Sequence, residues 1–373
     1  MTFALSLLLL GCGSGSSATV RLNGSSAPSG GGTVAGAPLL ATRNTTRLDS
    51  GDPATLAAAS ALIAFPGAST ATRPQTVALA DAGDWRAALV ASALASPPLR
   101  APLLLTHGRS VGEPARAALD RLRPGAIVRV GARAARPPGA LGRSGPLLDG
   151  VNPAALAASV AAYAAQTRST TDNRVLVVSS DAPQFAMPAA AWAAKSGDPI
   201  LFVQRDAVPQ ETRDAIGRLG QPRIYVLGPG SVIGAKAIAV LQRLGTVARI
   251  AGADPTANAI AFARYIDGDF GWGIVTPGHG LVLLGRSRPA DAAAAAILSA
   301  SGTFGPSLLL DGADALPSAL RQYLLDIEPG YTLDPSRGVY NHGWLVGDPG
   351  TASLALQAQI DTLLEITPVV RSK

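Results

Sequence analysis

One pattern of about 100 residues occurs three times in this chain. Each copy opens with an Asp-Pro or Asn-Pro pair followed by an Ala-rich stretch, at prolines 53, 153 and 255. An apolar run lies in the middle of each copy, at 101–105, 198–202 and 305–310. A second run closed by glycine ends each copy, at 128–131, 225–228 and 344–347. Landmarks that recur in one order indicate a duplicated structural unit.

Each copy alternates helical and strand-like segments. The capping residues Asp52, Asn152 and Asp254, each before a proline, predict helix starts, because a side-chain oxygen caps free N–H groups and proline fixes φ. The apolar runs are continuous, which is typical of parallel strands covered on both faces. The predicted helices span 53–64, 153–166 and 255–266. The predicted strands span 76–80, 102–106 and 126–131, then 174–179, 199–203 and 223–228, then 281–284, 307–310 and 343–347. We therefore predict an α/β fold of three tandem Rossmann-like units, each a mainly parallel sheet flanked by helices.

The predicted boundaries follow composition. Residues 1–12 read as a lipoprotein signal peptide, because an apolar run ends in Leu9-Leu10-Gly11 before Cys12, the only cysteine. No Lys or Arg precedes that run, which departs from an ordinary signal peptide. Residues 13–40 are Gly- and Ser-rich and predict a flexible linker. The three units are assigned to 41–140, 141–245 and 246–373, with a loop insertion near 328–342.

Composition limits the function classes. Hydrophobic residues make up 47% and charged residues 15%, so most of the chain is expected to fold. The net charge of +6 suits an anionic partner. No Lys/Arg run with interleaved aromatics is present, so nucleic acid is not expected as a partner. Because all three units lie in one chain, we expect a monomer.

The repeated unit resembles the type 2 cell wall-binding repeat over about residues 43–368. The resemblance rests on the opening Arg249-Ile-Ala-Gly252-Ala-Asp254-Pro255, on Asp291-Ala292, and on the Ala-Pro-Leu-Leu-Leu-Thr segment 101–106. It also rests on the closing Val-x-Val-Gly at 128–131. Such repeats occur, commonly in threes, in wall-attached proteins of Gram-positive bacteria. The resemblance implies a Rossmann-like fold, three units packed as a pseudo-threefold body, and non-covalent binding of anionic wall polymer.

Arginines are the candidate polymer ligands. In open α/β sheets ligands bind beyond the carboxyl ends of the strands, where an Arg guanidinium can hold phosphate or carboxylate with two hydrogen bonds. Strand ends supply Arg109, Arg205, Arg286 and Arg288. The family pattern adds Arg47, Arg249 and Asp291, although Leu147 replaces the opening arginine in the second unit. Each arginine could instead be a solvated loop residue or the partner of a neighbouring aspartate.

The insertion in the third unit is rich in aromatic residues. Tyr331, Arg337, Tyr340 and His342 could form a loop that stacks on a sugar ring, since such rings offer a flat apolar face with a polar edge. The alternative is a loop that only covers one end of the sheet.

Other chemistry has little support in the sequence. The run Gly228–Gly234 lacks the third glycine of a dinucleotide site, and Pro229 has no N–H for a phosphate. His107, His279 and His342 share no metal-ligand spacing, and no carboxylate pair suggests acid/base catalysis. No catalytic residue, metal or cofactor is therefore expected.

The sequence thus predicts a non-catalytic cell-surface lipoprotein, lipidated at Cys12 on the outer face of the cytoplasmic membrane, that binds an anionic cell wall polysaccharide or teichoic-acid-like polymer. One alternative is an extracytoplasmic module that binds a small solute or a protein partner at the same strand ends. Another is a wall hydrolase built on the insertion of the third unit.

Overall fold

Three mainly parallel sheets with one shared strand order organise the chain. The structure is a computed structural model, and it describes residues 32–168 and 173–369. These residues belong to one compact unit. Cys12, the rest of the predicted signal peptide and linker residues 13–31 lie outside the described residues, as do 169–172 and 370–373.

The first sheet is built from four parallel strands in the order β5-β4-β6-β7. Helix α1 begins at Pro53 because the Asp52 carboxylate accepts hydrogen bonds from the N–H groups of Ala54 and Thr55. The elements of this part of the chain are β1 (Thr33–Val34), β2 (Ala37–Ala41), β3 (Thr45–Leu48), α1 (Pro53–Ala64), β4 (Thr76–Asp81), α2 (Trp85–Ala91), β5 (Leu103–Thr106), α3 (Glu113–Leu122), β6 (Ala126–Val130) and β7 (Arg143–Leu148).

The second sheet repeats this order as β9-β8-β10-β11, again parallel. Asn152 caps the first helix through a hydrogen bond from the Ala155 N–H. The elements are α4 (Pro153–Gln166), β8 (Arg174–Ser179), α5 (Pro183–Ala186), α6 (Pro188–Ser196), β9 (Ile200–Val203), α7 (Gln210–Gly217), β10 (Arg223–Leu227), α8 (Ala235–Leu241) and β11 (Thr246–Ile250).

The third sheet draws on both ends of the described chain. Asp254 caps its first helix through the Ala257 N–H. The elements are α9 (Pro255–Arg264), β12 (Gly280–Gly285), α10 (Pro289–Ala294), α11 (Ala296–Ala300), β13 (Ser307–Leu310), α12 (Ser318–Asp326), β14 (Gly330–Tyr331), β15 (His342–Val346), α13 (Leu354–Leu363) and β16 (Thr367–Pro368). The sheet order is β13-β12-β15-β3-β2-β1, with β3 parallel to β15 and the β1–β2 hairpin antiparallel. Strands β14 and β16 form a separate parallel pair.

The fourth parallel strand of each sheet leads directly into the first helix that covers another sheet. Strand β7 precedes α4, which packs on β9, and β11 precedes α9, which packs on β13. Strand β3 likewise leaves the third sheet and precedes α1, which packs on β5. The N-terminal strands therefore complete the sheet formed by the last third of the chain.

The predicted linker is wrong over its last residues. Residues 33–34 and 37–40 lie in β1 and β2, and the side chain of Ala37 is fully buried. The reason is backbone pairing, because β2 satisfies the free edge of β3 in the register Leu39 opposite Leu48. The Gly- and Ser-rich composition gave no sign of this hairpin.

A continuous apolar core links the three sheets. One cluster of buried side chains includes residues of all of them. Helices α2, α6 and α10 contact each other pairwise, and their alanines allow the helix axes to approach closely. The α/β class with mainly parallel sheets flanked by helices is confirmed, whereas the pseudo-threefold relation stays a prediction. No helix of the described residues is long and apolar enough to cross a membrane.

Candidate functional site

A groove of about 500 Å³ opens at the carboxyl end of the third sheet. It lies between the loops that follow β12, β13 and β15, with Arg286, Arg288, Asp311 and Asp348 among its lining residues. Strand β12 connects to β13 on one side and borders β15 on the other, so the groove sits at a switch in strand order. Ligands of open α/β sheets bind at such a position.

Arg286 and Asp311 form the exposed ion pair of this groove. Their Nη2 and Oδ1 atoms are 2.5 Å apart, and their side chains are 44% and 54% exposed. An ion pair this accessible contributes little to stability, about 0–1 kcal/mol. The Arg286 guanidinium can therefore exchange its aspartate for a ligand anion at small cost.

Arg288 is held more firmly. Its Nε lies 2.5 Å from Oδ2 of Asp291, and its Nη2 donates to the backbone carbonyl of Gly51 at 2.7 Å. Arg288 thereby ties α10 to the loop that precedes α1. The guanidinium forms a wall of the groove with most of its hydrogen bonds already used.

Asp291 is fully buried, so the prediction that it contacts polymer is wrong. Burial raises the pKa of its carboxyl group to about 6, although the adjacent Arg288 acts in the opposite direction. The charges of Asp348 and Asp52 raise this pKa further. The carboxyl group anchors Arg288 and is not a ligand contact.

Arg47 is also fully buried, and its predicted polymer contact is wrong for the same reason. Its Nη1 donates to the carbonyl of Gly347 at 3.2 Å, its Nη2 to the carbonyl of Ser353 at 3.3 Å, and its Nε to Gln357 at 2.9 Å. These bonds close the turn between β15 and α13. Burial lowers the pKa of Arg47.

Arg249 holds the matching turn of the second sheet. Its Nη1 donates to the carbonyl of Gly228 at 2.6 Å and its Nη2 to the carbonyl of Ile233 at 2.8 Å. Burial lowers the pKa of this guanidinium as well. Both Gly228 and Gly347 have positive φ, so the turns that these arginines support need glycine. The opening arginine is therefore a structural residue, although the Arg249 side chain is exposed in part.

Arg109 and Arg205 are exposed in the loops after β5 and β9, as predicted for strand ends. The Arg205 Nε lies 3.9 Å from Oδ2 of its neighbour Asp206. Each belongs to a different sheet from Arg286, so the predicted arginines are spread over three strand-end regions.

Two arginines that the sequence analysis did not identify also lie at strand ends. Arg133 follows β6, and its Nε is 2.8 Å from Oδ2 of the buried Asp81. Arg213 of α7 lines a groove of about 380 Å³ at the carboxyl end of the second sheet. Arg133 comes two residues after the glycine that closes β6, so its position in the sequence is that of a strand-end arginine. Arg213 carries no signal of this kind.

The predicted sugar-stacking residues lie on different elements of the third unit. The Tyr340 hydroxyl donates to the carbonyl of Pro335 at 2.7 Å and closes the inserted loop, which also carries Tyr331 and Arg337. His342 instead begins β15, with its ring edge-on to Trp344 at 4.9 Å. Among the described residues, ring contacts join His342 to Trp344 and to neither tyrosine. Burial lowers the pKa of His342.

The described residues contain no group of three or more His, Cys, Asp or Glu side chains placed to hold a metal ion. Of the two carboxylates that line the groove, Asp311 is paired with Arg286, and Asp348 accepts a hydrogen bond from Thr351.

Comparison with known proteins gives the following similarities. The solved structure of Cwp6 from Clostridium difficile has a TM-score of 0.67 and 17% identity, over 86% of this chain and 48% of that chain. Cwp8 from Clostridium difficile has a TM-score of 0.66 and 17% identity, over 87% of this chain and 53% of that chain. The chain spans about half the length of these structures, and at this identity the likeness shows the fold. No curated protein matches the chain.

A family model adds a sequence match for the middle of the chain. It covers residues 148–238, which include α4, three strands of the second sheet and the start of α8. The matched segment begins at Leu148, the last residue of β7, shortly before the Asn152-Pro153 pair that opens the second repeat. The family is Cell wall binding domain 2, and the resemblance to it seen in the sequence is confirmed for this segment.

Proposed function

We propose that this chain is a non-catalytic cell-surface protein that binds an anionic cell wall polymer at the carboxyl ends of its parallel strands. The Cell wall binding domain 2 match supports attachment to the wall. The observation that carries the choice of site is the open groove of the third sheet, where the half-exposed Arg286 faces an equally exposed Asp311.

Binding would proceed by exchange of partners on Arg286. A phosphate or carboxylate of the polymer replaces Asp311 and receives two parallel N–H hydrogen bonds from the guanidinium. Arg288 keeps its bonds to Asp291 and Gly51, so it fixes the shape of the groove during this exchange. Arg109 and Arg205 offer further exposed cations at the other sheets.

The location follows from the same proposal. The chain acts outside the cytoplasm as a monomer, anchored by a diacylglycerol thioether at Cys12 on the outer face of the membrane. Two or more acyl chains are enough for stable anchoring.

Expression of a Cys12→Ser variant should move the protein from the membrane fraction to the medium. Equal membrane retention of both forms would contradict the anchor.

Cosedimentation with purified cell walls tests the polymer site. Wall fragments should retain the chain, and removal of phosphodiester-linked polymer from them by acid extraction should abolish retention. Arg286→Gln should weaken retention by about tenfold, the loss of one charge-assisted pair. Rising salt should weaken the wild type more than Arg286→Gln, because screening acts on the ion pair.

Arg243→Gln is the matched control. Arg243 is exposed just after α8, whose C-terminus points toward the amino ends of the parallel strands. The Arg243→Gln substitution changes the net charge by the same amount as Arg286→Gln. Retention of the Arg243→Gln variant on cell walls should stay at the wild-type level. Equal loss of retention in both variants would show that binding depends on general charge attraction and not on Arg286. Unchanged retention on the extracted walls would contradict the proposal that the ligand is an anionic polymer.

A further inference from the structure

A second cleft, of about 480 Å³, lies at the opposite end of the third sheet. His342 and Gly280 are the first residues of β15 and β12, and both line it, so it opens at the amino ends of the strands. The last residues of α1, Leu298 of α11 and the loop 301–303 that follows α11 form its other walls. The volume falls in the range of small-molecule sites, about 300–1,000 Å³.

The floor of this cleft is a pair of aromatic rings. His342 and Trp344 are two residues apart on β15 and therefore point to the same face of the sheet. Both are half-buried, with the rings edge-on at 4.9 Å and 73°. Thr46 lies directly opposite Trp344 on β3 and adds a hydroxyl group beside the indole.

The walls are uncharged and mixed in polarity. Ser301 and Thr303 contribute hydroxyl groups, whereas Ile63 and Leu298 contribute apolar surface. None of the described residues that line the cleft is Lys, Arg, Asp or Glu. The groove at the carboxyl end is lined by four charged side chains, so the two sites suit different ligands.

The site is also held rigid. Asn341, which is buried, accepts hydrogen bonds from the N–H groups of Gly278 and His279 and donates to the carbonyl of Ile327, which fixes the start of β15. A Cβ on Gly280 would lie 2.0 Å from the carbonyl oxygen of Thr303, so glycine is required for the rim loop to pack on β12. A preformed site loses less entropy on binding.

One ring nitrogen of His342, Nε2, is enclosed without a hydrogen-bond partner among the described residues. An unpaired buried polar atom costs about 1–3 kcal/mol. The Nε2 atom is itself enclosed, so it faces the protein interior and not the open cleft. Burial lowers the pKa of the ring, which favours its uncharged form.

We propose that this cleft binds an uncharged sugar ring that carries an acetamido group. The apolar face of the ring packs on Trp344, the sugar hydroxyls bond to Thr46, Ser301 and Thr303, and the acetamido methyl contacts Ile63 and Ala64 at the end of α1. Flat rings with a polar edge suit aromatic surfaces of this kind. The inference stands apart from the proposed polymer site, because the two lie at opposite ends of the strands.

Titration with chitotriose, the neutral trimer of N-acetylglucosamine, tests the proposal. Calorimetry and saturation-transfer NMR on the purified chain should show binding at millimolar concentration, with saturation strongest on the acetamido methyl. Ser301→Trp and, separately, Ala64→Phe place large rings at the walls of the cleft. Each should weaken binding by at least about tenfold.

Val151→Trp is the matched control, because residue 151 is 95% exposed and lies outside the cleft. It should bind as the wild type does, and circular dichroism should show that all variants are folded. Maltotriose, which lacks acetamido groups, should bind more weakly. Absence of chitotriose binding, or equal binding by wild type and both wall variants, would overturn the site. Equal affinity for maltotriose would overturn the acetamido assignment.

Discussion

The opening arginine illustrates how a residue typical of a family can be structural. Arg47 and Arg249 each donate to the carbonyl of the glycine that follows the neighbouring parallel strand, and to a carbonyl at the start of the helix after that glycine. In the first sheet, Leu147 lies opposite Arg129 at the corresponding position. The sequence could predict a guanidinium near a strand end, but it could not show which carbonyls would receive its hydrogen bonds.

Arg47→Ala should therefore destabilise the fold. The change leaves two backbone carbonyls and Gln357 without their donor inside a buried site, and we expect a loss of about 3 kcal/mol in the free energy of unfolding. Arg249→Ala, at a more exposed position, should lose about 1 kcal/mol. Urea denaturation measures both values. Losses that are equal and small, like that of the exposed control Arg243→Ala, would contradict the structural role.

Asp291 should make stability depend on pH. Its folded pKa of about 6 lies above its ordinary value of 3.8, so the folded protein binds this proton more tightly than the unfolded chain does. The contribution is complete below about pH 4 and is lost as pH rises through about 6, on the order of 2–3 kcal/mol. Asp291→Asn should remove that slope in urea denaturation between these pH values.

Asp120→Asn, at an exposed position on α3, is the control and should keep the wild-type slope. A wild-type slope in Asp291→Asn would show that Asp291 does not titrate in this range. The buried carboxyl group could not be identified from the sequence, because the pattern Asp291-Ala292 equally suits an exposed helix start.

At the scale of elements, the helices and central strands were the predictable part. The helices 53–64 and 153–166 match the structure residue for residue, and the third ends at Arg264, two residues before the predicted end. Central strands lie within one or two residues of the predicted bounds. A capping side chain before proline and a run buried on both faces are strong local signals.

The outer strands were not predictable in the same way. Strand β7 contains Pro146 and is exposed along most of its length, and β11 mixes exposed and half-buried residues. Edge strands of this kind lack a continuous apolar run. The short strand β3 also gave no sign that its partner, β15, lies almost 300 residues later in the sequence.

Disruption of β3 should therefore affect the far end of the chain. Thr46→Pro removes a ladder donor and introduces a ring between β2 and β15, and it should cost about 3 kcal/mol or more. Hydrogen exchange should show faster exchange in β15 and β12. Thr33→Pro in the outer strand β1 is the control, and it should leave these strands protected. Unchanged protection of β15 in Thr46→Pro would contradict the pairing.

At the scale of the whole molecule, one apolar core joins the three sheets. The carboxyl ends of their strands therefore belong to a single compact unit. Helices α2, α6 and α10 contact each other. Arg86, at the start of α2, donates at 2.8 Å to the carbonyl of Ser180, which follows β8 of the second sheet. The segments that follow β4 and β8 of two different sheets therefore meet. Arg288 makes the corresponding link from the third sheet to Gly51.

A candidate site was predictable from the sequence only where its residues are close together in the sequence. Arg286 and Arg288 follow one strand, so the rule for strand ends placed them correctly at the groove. The amino-end cleft combines Thr46, Ile63, Ser301 and Trp344, which are far apart in sequence. Only the folded chain brings such residues together, and sequence reasoning assigned His342 to the inserted loop instead.

The central claim is that anionic wall polymer binds at the carboxyl ends of the strands. NMR spectra of the 15N-labelled chain, titrated with soluble fragments of purified wall polymer, test it most directly. We predict shifts in the Arg286 guanidinium and in the backbone of 286–288 and 311–313, with Arg243 unchanged. Saturable binding that leaves these signals in place would contradict the claim.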